Sequence, residues 1–400
     1  MQKAAPRSLP EIRAFLAEKL GLRGSLWRAA ESMDRAVDLG MIQIDSIIRT
    51  GLRNHEIAWV SRSDGPPTDF YRLTYGERRM LETHYPIFAT RRDWLPHFLQ
   101  DFHKAVEGTM HYDELKPVKR RLLKQIRENG PVSPGELEAE RIVGGFNTVK
   151  ATTKALEHLF YEGKVQVSGR TKNFHRLFDL TENVAPELAK PARINALEHK
   201  RFMLISALDV LKVASRSQLA QRLNHHFGNW RGIGLTESRK LVDRFAAEGL
   251  IEPITVRDGD TDETWYSLAK DHAAWDSSAK RSDDHVRLIA PLDNLLFNRD
   301  RFTQLFGFTY KFEAYTPVHQ RRFYFALPIL WRDDVVGLID GKREDGAWRI
   351  TGLDLMKPVD ADALREGLHR FARIAGAEKV TAGRKVESKW RTSLSGKIEI

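Results

Sequence analysis

Cysteine is absent from the sequence. Its absence excludes disulfide bridges, thiolate nucleophiles, zinc fingers and cysteine-ligated iron–sulfur clusters. No run of about 18 apolar residues occurs, as a membrane-spanning helix would need, and the first residues lack the apolar core of a signal peptide. We therefore expect a cytoplasmic protein that does not act at a membrane.

Motifs for nucleotide, metal and serine chemistry are also missing. No phosphate-loop spacing follows a buried strand, and no serine-nucleophile motif occurs. No histidine and carboxylate cluster has metal-ligand spacing. We expect no nucleotide cofactor, no metal and no other cofactor.

Positive charge is what the sequence has in excess. It contains 64 Lys and Arg residues against 54 Asp and Glu residues, for a net charge of +10 and a pI near 9.6. This balance favours a polyanionic partner, nucleic acid first. The 400 residues, 42% of them hydrophobic, are enough for several cores, and we expect roughly two to four domains.

An order of three helices followed by a two-stranded wing occurs twice. Its first copy includes a short helix predicted over Ser133–Leu137. Leu159-Phe-Tyr-Glu-Gly-Lys-Val165 in this copy parallels Phe245-Ala-Ala-Glu-Gly-Leu-Ile251 in the next. The pattern predicts tandem winged-helix domains, a helix-turn-helix variant. The predicted fold is α+β: winged helices at 1–115 (the most divergent), 116–190 and 191–275, then a β-rich domain at 280–400.

Two basic elements are candidates for contact with DNA. Arg170 and Lys172 lie in the wing of the second domain, where a solvated charged surface is an equal alternative. Thr316–Arg322 lies between predicted strands Thr309–Tyr315 and Arg322–Leu330, so it is predicted to be a hairpin loop. Its basic, partly aromatic tip could enter a DNA groove or form an ordinary solvent-exposed turn.

A polar strip, Met41–Ile47, alternates apolar residues with Gln43 and Asp45. On an extended chain both polar side chains project from one face. An amide beside a carboxylate can hold a water molecule and activate it as a nucleophile. An edge strand with a solvated polar face is the alternative. A further short strand is predicted over His55–Ser61.

Several motifs together resemble those of one enzyme family. Gln43-Ile44-Asp45 looks like its Gln-apolar-Asp catalytic motif, and Ala290-Pro-Leu-Asp293, Asn298-Arg-Asp-Arg301 and Tyr315-Thr-Pro317 look like its C-terminal blocks. The chain resembles, over about residues 9 to 385, the winged-helix DNA glycosylases of the YcaQ/AlkZ type, which unhook interstrand crosslinks. It departs from the family at His84-Tyr85, where an acidic residue is expected after the histidine.

The resemblance implies a monofunctional DNA glycosylase that acts as a monomer on double-stranded DNA with alkylated or crosslinked guanine. Alkylation at N7 of guanine leaves a cationic base, so the enzyme must stabilise a positive sugar and supply a water molecule. Asp45 would do both, and Gln43 would orient the water. The residues expected to contact DNA are Arg170, Lys172, Arg299, Arg301, Thr316, His319, Arg321 and Arg322.

Two other functions fit the same patterns. A winged-helix transcriptional regulator would bind DNA without catalysis, and Gln43 and Asp45 would then be structural. An RNA-binding or protein-interaction module would bind another partner and release no base. Release of a damaged base is the observation that separates the enzyme from both.

Overall fold

The computed structural model describes residues 5–83, 87–106, 111–138, 141–143, 148–190, 193–224, 233–275 and 284–398. The chain is a mixture of helices and sheets that forms two compact units. Unit 1 comprises residues 1–71, 204–223 and 234–400, and unit 2 comprises residues 72–203 and 224–233. The four predicted domains divide the chain more finely than these units do, and their boundaries stay predictions.

Helices occur throughout the chain. In order, they are α1 (Leu9–Lys19), α2 (Ala29–Val37), α3 (Asn54–Val60), α4 (Thr68–Tyr71), α5 (Leu95–Val106), α6 (Lys116–Asn129), α7 (Ala151–Tyr161), α8 (Thr181–Val184), α9 (Ala196–Leu211), α10 (Arg216–Asn224), α11 (Leu235–Ala247), α12 (Arg299–Phe306), α13 (Ala361–Ile374) and α14 (Ser388–Leu394). A π-helical turn (Arg72–Gly76) follows α4. Within the described residues, none of these helices is long and apolar enough to cross a lipid bilayer.

Strands are short in the first half of the chain and longest near its end. In order, they are β1 (Arg7–Ser8), β2 (Met41–Gln43), β3 (Met80–Thr83), β4 (Phe88–Arg91), β5 (Arg141–Val143), β6 (Thr148–Lys150), β7 (Val165–Arg170), β8 (Arg176–Leu180), β9 (Val213–Ser215), β10 (Ile251–Asp258), β11 (Thr261–Leu268), β12 (Val286–Leu288), β13 (Leu327–Trp331), β14 (Asp334–Glu344), β15 (Ala347–Leu355), β16 (Lys379–Ala382) and β17 (Gly396–Lys397).

Unit 1 is built around two sheets. One has the strand order β1-β10-β11-β9, and the other runs β12-β13-β14-β15-β16-β17. The second sheet is antiparallel except for the β15–β16 pair. Leu364, Leu368 and Phe371 of α13 are buried, and this helix contacts both β12 and β16. The predicted strand-rich character of the C-terminal region is confirmed.

Residues 196–268 contain the predicted order of helices and wing. Helices α9, α10 and α11 precede the β10–β11 hairpin, which pairs in register from Ile251 with Leu268 to Asp258 with Thr261. The copy at 116–190 matches less closely. Its α6, α7 and β7–β8 hairpin are present, but the predicted helix Ser133–Leu137 is only a turn. Gly135 disfavours helix formation in so short a segment.

The predicted strand His55–Ser61 is wrong, because these residues lie in and just beyond helix α3. The Glu56 carboxylate accepts a hydrogen bond from Arg53 N at 2.6 Å, which satisfies one of the free donors at the helix start. All seven residues of the helix are buried. A segment buried on every side shows neither helical nor strand periodicity in its sequence.

The predicted strand Thr309–Tyr315 is also wrong. Residues 307–326, the C-terminal loop, contain no strand, and β13 begins only at Leu327. The loop is held in place by side-chain hydrogen bonds and not by the backbone hydrogen bonds of a strand pair. Glu313 Oε2 accepts hydrogen bonds from Arg322 N and Phe323 N at 3.0 and 3.1 Å, and Tyr310 OH donates to Ala326 O at 2.7 Å.

A buried ion pair joins distant parts of unit 1. Arg62 Nη1 and Nη2 donate to the two carboxylate oxygens of Asp293 at 2.7 and 2.8 Å. Each side chain is only 1% exposed. Arg62 also donates to the main-chain oxygens of Leu20 and Ala58. This bidentate geometry compensates the cost of removing both charges from water.

We expect Arg62→Met to lower the free energy of unfolding by about 3–5 kcal/mol, because Asp293 would remain buried and unpaired. Chemical denaturation measures the change. Arg257→Met is the matched control, since its ion pair with Asp262 is 56% and 43% exposed. That control should lower the free energy of unfolding far less, because solvent screens an exposed ion pair. Equal losses in the two variants would contradict the structural role of the Arg62 pair.

In unit 2 we expect one histidine to make stability depend on pH. Burial, together with the nearby charges of Lys154 and Lys119, lowers the pKa of His158 to about 4. Between the ordinary value of about 6.5 and about 4, the unfolded chain binds a proton that folded His158 does not. Stability should therefore fall as pH falls through this window. His158→Phe should show a smaller drop in Tm between pH 7 and pH 5 by calorimetry, and an unchanged drop would exclude this cause.

Candidate active site and DNA-contact residues

The polar strip alternates as predicted. Ile42 and Ile44 are buried, whereas Gln43 and Asp45 are half-buried. Strand β2 ends at Gln43, and residues 44–48 form no regular secondary structure. The two polar side chains therefore start two residues apart on a support of buried apolar residues.

The Asp45 carboxylate is oriented but not neutralised. Its Oδ1 accepts a hydrogen bond from Ile47 N at 2.8 Å. Among the residues that the structure describes, Asp45 forms no ion pair. One main-chain donor thus fixes the direction of the carboxylate and leaves it able to accept hydrogen bonds from a water molecule or to face a positive charge.

Gln43 is held through its main chain. Its carbonyl oxygen accepts a hydrogen bond from Asn54 Nδ2 at 2.8 Å, and Asn54 Oδ1 accepts one from Leu292 N at 2.9 Å. Asn54 is only 1% exposed. A single carboxamide therefore connects the polar strip with the turn Pro291–Asn294.

The Pro291–Asn294 turn is far from the polar strip in sequence but contacts the residue Leu39, which precedes strand β2. Asn294 Nδ2 donates to Leu39 O at 3.0 Å, just before strand β2. The buried Arg62–Asp293 ion pair lies between these two contacts along the turn. The C-terminal block that includes Asp293 thus lies against the Gln43–Asp45 segment, which connects two of the motifs singled out in the sequence.

Asp340 connects Arg49, which follows the polar strip, with the C-terminal loop. Its buried carboxylate accepts hydrogen bonds from Phe325 N at 3.1 Å, Tyr324 N at 3.3 Å and Thr351 Oγ1 at 3.0 Å. Arg49 Nε lies 3.8 Å from the same carboxylate, and the Arg49 guanidinium is 4.7 Å from the centre of the Tyr324 ring. The end of the loop and the segment that follows Asp45 therefore share one anchor.

The C-terminal loop presents its tip to solvent. Tyr315 and Val318 are 81% and 74% exposed. His319 is exposed as well, and Thr316 is half-buried with its amide donating to Glu313 O at 2.9 Å. An exposed aromatic and apolar tip of this kind is suited to contact with unstacked bases.

The two arginines of the loop differ in their environment. The Arg321 guanidinium lies 4.7 Å from the centre of the Tyr324 ring. Arg322 is exposed and forms an ion pair with Asp354. An exposed pair of this type contributes little stability and can be exchanged for a phosphate at small cost. Both residues remain candidates for DNA contact.

The environment of Arg301 contradicts the prediction that this residue contacts DNA. It is fully buried, and its Nη1 donates to the main-chain oxygens of Leu211 and Val213. Burial lowers its pKa to about 10. Arg299 is half-buried: its Nη2 donates to Pro291 O at 3.1 Å and its guanidinium lies 4.5 Å from the Tyr310 ring centre. Arg301 is a structural residue, which its sequence context did not indicate.

Arg170 of the first wing is likewise engaged inside unit 2. Its Nη2 and Nε donate to the two oxygens of the fully buried Glu82 at 2.6 and 2.9 Å. Burial acts to lower the pKa of Arg170, but Glu82 outweighs this effect and raises it. A guanidinium bound to an internal carboxylate does not offer its charge to a phosphate, so the prediction for Arg170 fails here. Lys172, in contrast, is exposed at the tip of the wing.

Two connecting residues, Asn54 and Asp340, were missed in the sequence. Asn54 lies just before the predicted strand His55–Ser61, and Asp340 lies inside a strand, so neither has a distinctive local pattern. His84 and Tyr85 lie outside the described residues. Within the described ranges, no group of three or more His, Asp or Glu residues has an arrangement that could hold a metal ion.

Comparison with known proteins identifies the family. A family model for AlkZ-like DNA glycosylases matches residues 37–374. The chain belongs to the AlkZ-like DNA glycosylase family. The expected resemblance is therefore confirmed, and so is the expectation that the protein is a DNA-repair enzyme of the glycosylase class.

A solved structure shares the fold of this AlkZ-like glycosylase. The Streptomyces sahachiroi DNA glycosylase AlkZ is similar with a TM-score of 0.60 over 95% of this chain and 100% of that chain. The two sequences are 11% identical. At this identity the likeness concerns the fold alone, and the roles of individual residues must be argued from the geometry of this chain.

We expect the double variant Arg321→Ala with Arg322→Ala to bind duplex DNA more weakly and with a flatter salt dependence. Each lost phosphate contact should reduce the slope of log K against log salt by about 0.9. Fluorescence anisotropy over a series of salt concentrations measures both quantities. Lys389→Ala with Arg349→Ala removes two exposed basic residues elsewhere in unit 1 as a control. If both pairs of substitutions act alike, the loop makes no specific contact.

Proposed function

We propose that this DNA glycosylase hydrolyses the N-glycosidic bond of N7-alkylguanine and unhooks interstrand crosslinks formed at that position. Asp45 serves as the carboxylate that stabilises the developing positive sugar and activates a water molecule, and Gln43 positions that water. The observation that supports these roles best is the half-buried Asp45 carboxylate, which is held by one main-chain donor and has no ion pair within the described residues.

The chemistry requires few groups. Alkylation at N7 makes guanine a cationic leaving group, so the base departs without an acid catalyst. The bond breaks between C1′ and N9, and the electron pair leaves with the base, which becomes neutral. The sugar that remains resembles an oxocarbenium ion. A fixed carboxylate stabilises that charge most where water is excluded.

Water then completes the reaction. It attacks C1′, its proton passes to Asp45, and a hydroxyl group replaces the base. The Gln43 carboxamide can accept one hydrogen bond from this water and donate another to it. Within the described residues the Gln43 side chain has no hydrogen-bond partner, so it is available for this task. No lysine and no covalent enzyme–DNA intermediate take part.

The winged-helix elements provide the binding surface in this proposal. We place three winged-helix domains in the chain, of which the α9–β11 region supports the assignment best because its helices, hairpin and sheet follow the expected order. Lys172 at the first wing and Thr316, His319, Arg321 and Arg322 in the C-terminal loop would contact a DNA duplex. The protein would act as a monomer and without a cofactor.

Base release from defined duplexes tests the proposal. The substrates carry either a single N7-methylguanine or one nitrogen-mustard crosslink, and free base is measured in single-turnover reactions. We expect Asp45→Asn to slow release by about a hundredfold or more while DNA binding is retained, because the amide cannot stabilise positive charge or accept the proton. An unchanged rate would remove Asp45 from the mechanism.

Asp345→Asn is a matched control for this experiment. Asp345 is exposed in the turn between β14 and β15, and its φ of 48° is one that asparagine also adopts readily. Its rate should equal that of the wild type. Absence of base release in the wild type, with tight binding to undamaged duplex, would instead support the transcriptional regulator.

A further inference from the structure

We propose that Asn54 is a positioning residue for catalysis, which fixes the main chain of Gln43 against the Pro291–Asn294 turn. The inference rests on the proposed function, since it gives a task to a residue that acts through Gln43. Its geometry consists of two hydrogen bonds: Asn54 Nδ2 to Gln43 O at 2.8 Å and Leu292 N to Asn54 Oδ1 at 2.9 Å.

The two partners of Asn54 allow one orientation only. The main-chain carbonyl of Gln43 can only accept, and the main-chain amide of Leu292 can only donate. The carboxamide must therefore direct its NH₂ group to the polar strip and its oxygen to the turn. Aspartate or leucine at this position would each lose at least one of the two bonds. Only a side chain with both a donor and an acceptor makes the bridge.

Burial gives the bridge its strength. Asn54 is 1% exposed and its two partners, Gln43 and Leu292, are half-buried, so little water competes for the two hydrogen bonds. Loss of the side chain would remove a hydrogen-bond partner from each of these two main-chain groups. The chain would relax to satisfy them, and the polar strip would move as it did so.

The main chain at Asn54 is itself held in place by hydrogen bonds of the neighbouring residues. Arg53 N donates to Glu56 Oε2 at 2.6 Å, which holds the first turn of α3. Tyr71 OH donates to the other oxygen of Glu56 at 2.5 Å, and His55 Nε2 lies 3.1 Å from the same hydroxyl. A helix start that is anchored on both sides of residue 54 keeps the bridge at a constant place.

The bridge controls the direction of the Gln43 side chain. A hydrogen bond to Gln43 O fixes the peptide plane between residues 43 and 44, which lies between the Gln43 and Asp45 side chains. The Asp45 carboxylate is fixed independently by Ile47 N at 2.8 Å. Loss of the Asn54 bond would therefore misplace Gln43 relative to Asp45 while the DNA-contact residues stay in place. Even a small displacement of a catalytic group lowers the reaction rate by a large factor.

The test compares Asn54→Ala with Asn294→Ala. Both substitutions remove a buried asparagine that donates to a main-chain oxygen, since Asn294 donates to Leu39 O at 3.0 Å and is 3% exposed. We expect Asn54→Ala to lower the single-turnover rate on N7-methylguanine duplex by about tenfold to a hundredfold. The Kd for DNA should stay within about twofold of that of the wild type. Asn294→Ala should lower Tm by a similar amount and the rate far less.

A double-mutant cycle with Gln43→Ala separates positioning from general destabilisation. If Asn54 acts through Gln43, Asn54→Ala should have almost no further effect on the rate once Gln43 has been replaced. Effects that multiply would overturn the inference. Asn54→Asp is a second variant in case Asn54→Ala does not fold, because it keeps an acceptor for Leu292 N but turns an oxygen towards Gln43 O. It should reproduce the loss of rate.

The outcomes distinguish failure of this inference from failure of the proposed function. If the wild type releases no N7-methylguanine, both fall together. If the wild type is active and Asn54→Ala matches Asn294→Ala in rate, only the role of Asn54 is refuted. Weaker DNA binding in Asn54→Ala with an unchanged single-turnover rate would also refute it, since that pattern assigns the residue to binding.

Discussion

The arrangement around the polar strip depends on one buried ion pair, between Arg62 and Asp293. Asp293 lies between Leu292, which binds Asn54, and Asn294, which binds Leu39. Its pairing therefore fixes the turn that contacts Leu39 directly and Gln43 through Asn54. A buried pair of this kind adds little net stability over a hydrophobic contact of the same size, but it tolerates no displacement. The main contribution of the Arg62–Asp293 pair is therefore to fix the position of the Pro291–Asn294 turn.

Three acidic residues show how the number of donors separates structural carboxylates from one suited to chemistry. Asp340 accepts hydrogen bonds from three groups, and Asp293 is saturated by the Arg62 guanidinium. Asp45 has a single main-chain donor and is half-buried. Each hydrogen bond to a carboxylate occupies one of its acceptor sites. Of these three carboxylates, the one with the fewest partners has the most sites free for a water molecule or for a cation that arrives with the substrate.

Local sequence patterns predicted the structural features that depend on contacts between residues close together in the sequence. The alternation at Gln43 and Asp45 and the strand-rich character of the C-terminal region follow from periodicity. Helix α3 was missed because it is buried on every side. Arg170 and Arg301 were misassigned because their partners lie about 90 residues away along the chain. A basic residue that neutralises an internal group has the same sequence signature as one that meets a phosphate.

The contacts of the Pro291–Asn294 turn span most of the chain. The partners in the Arg62–Asp293, Leu292–Asn54 and Asn294–Leu39 contacts are separated by 231, 238 and 255 residues. A nascent chain therefore cannot assemble the polar strip until residue 294 has left the ribosome. Gln43 and Asp45 are synthesised early, but the turn that contacts their segment is synthesised late. A partly synthesised chain therefore contains both residues before the site around them can form.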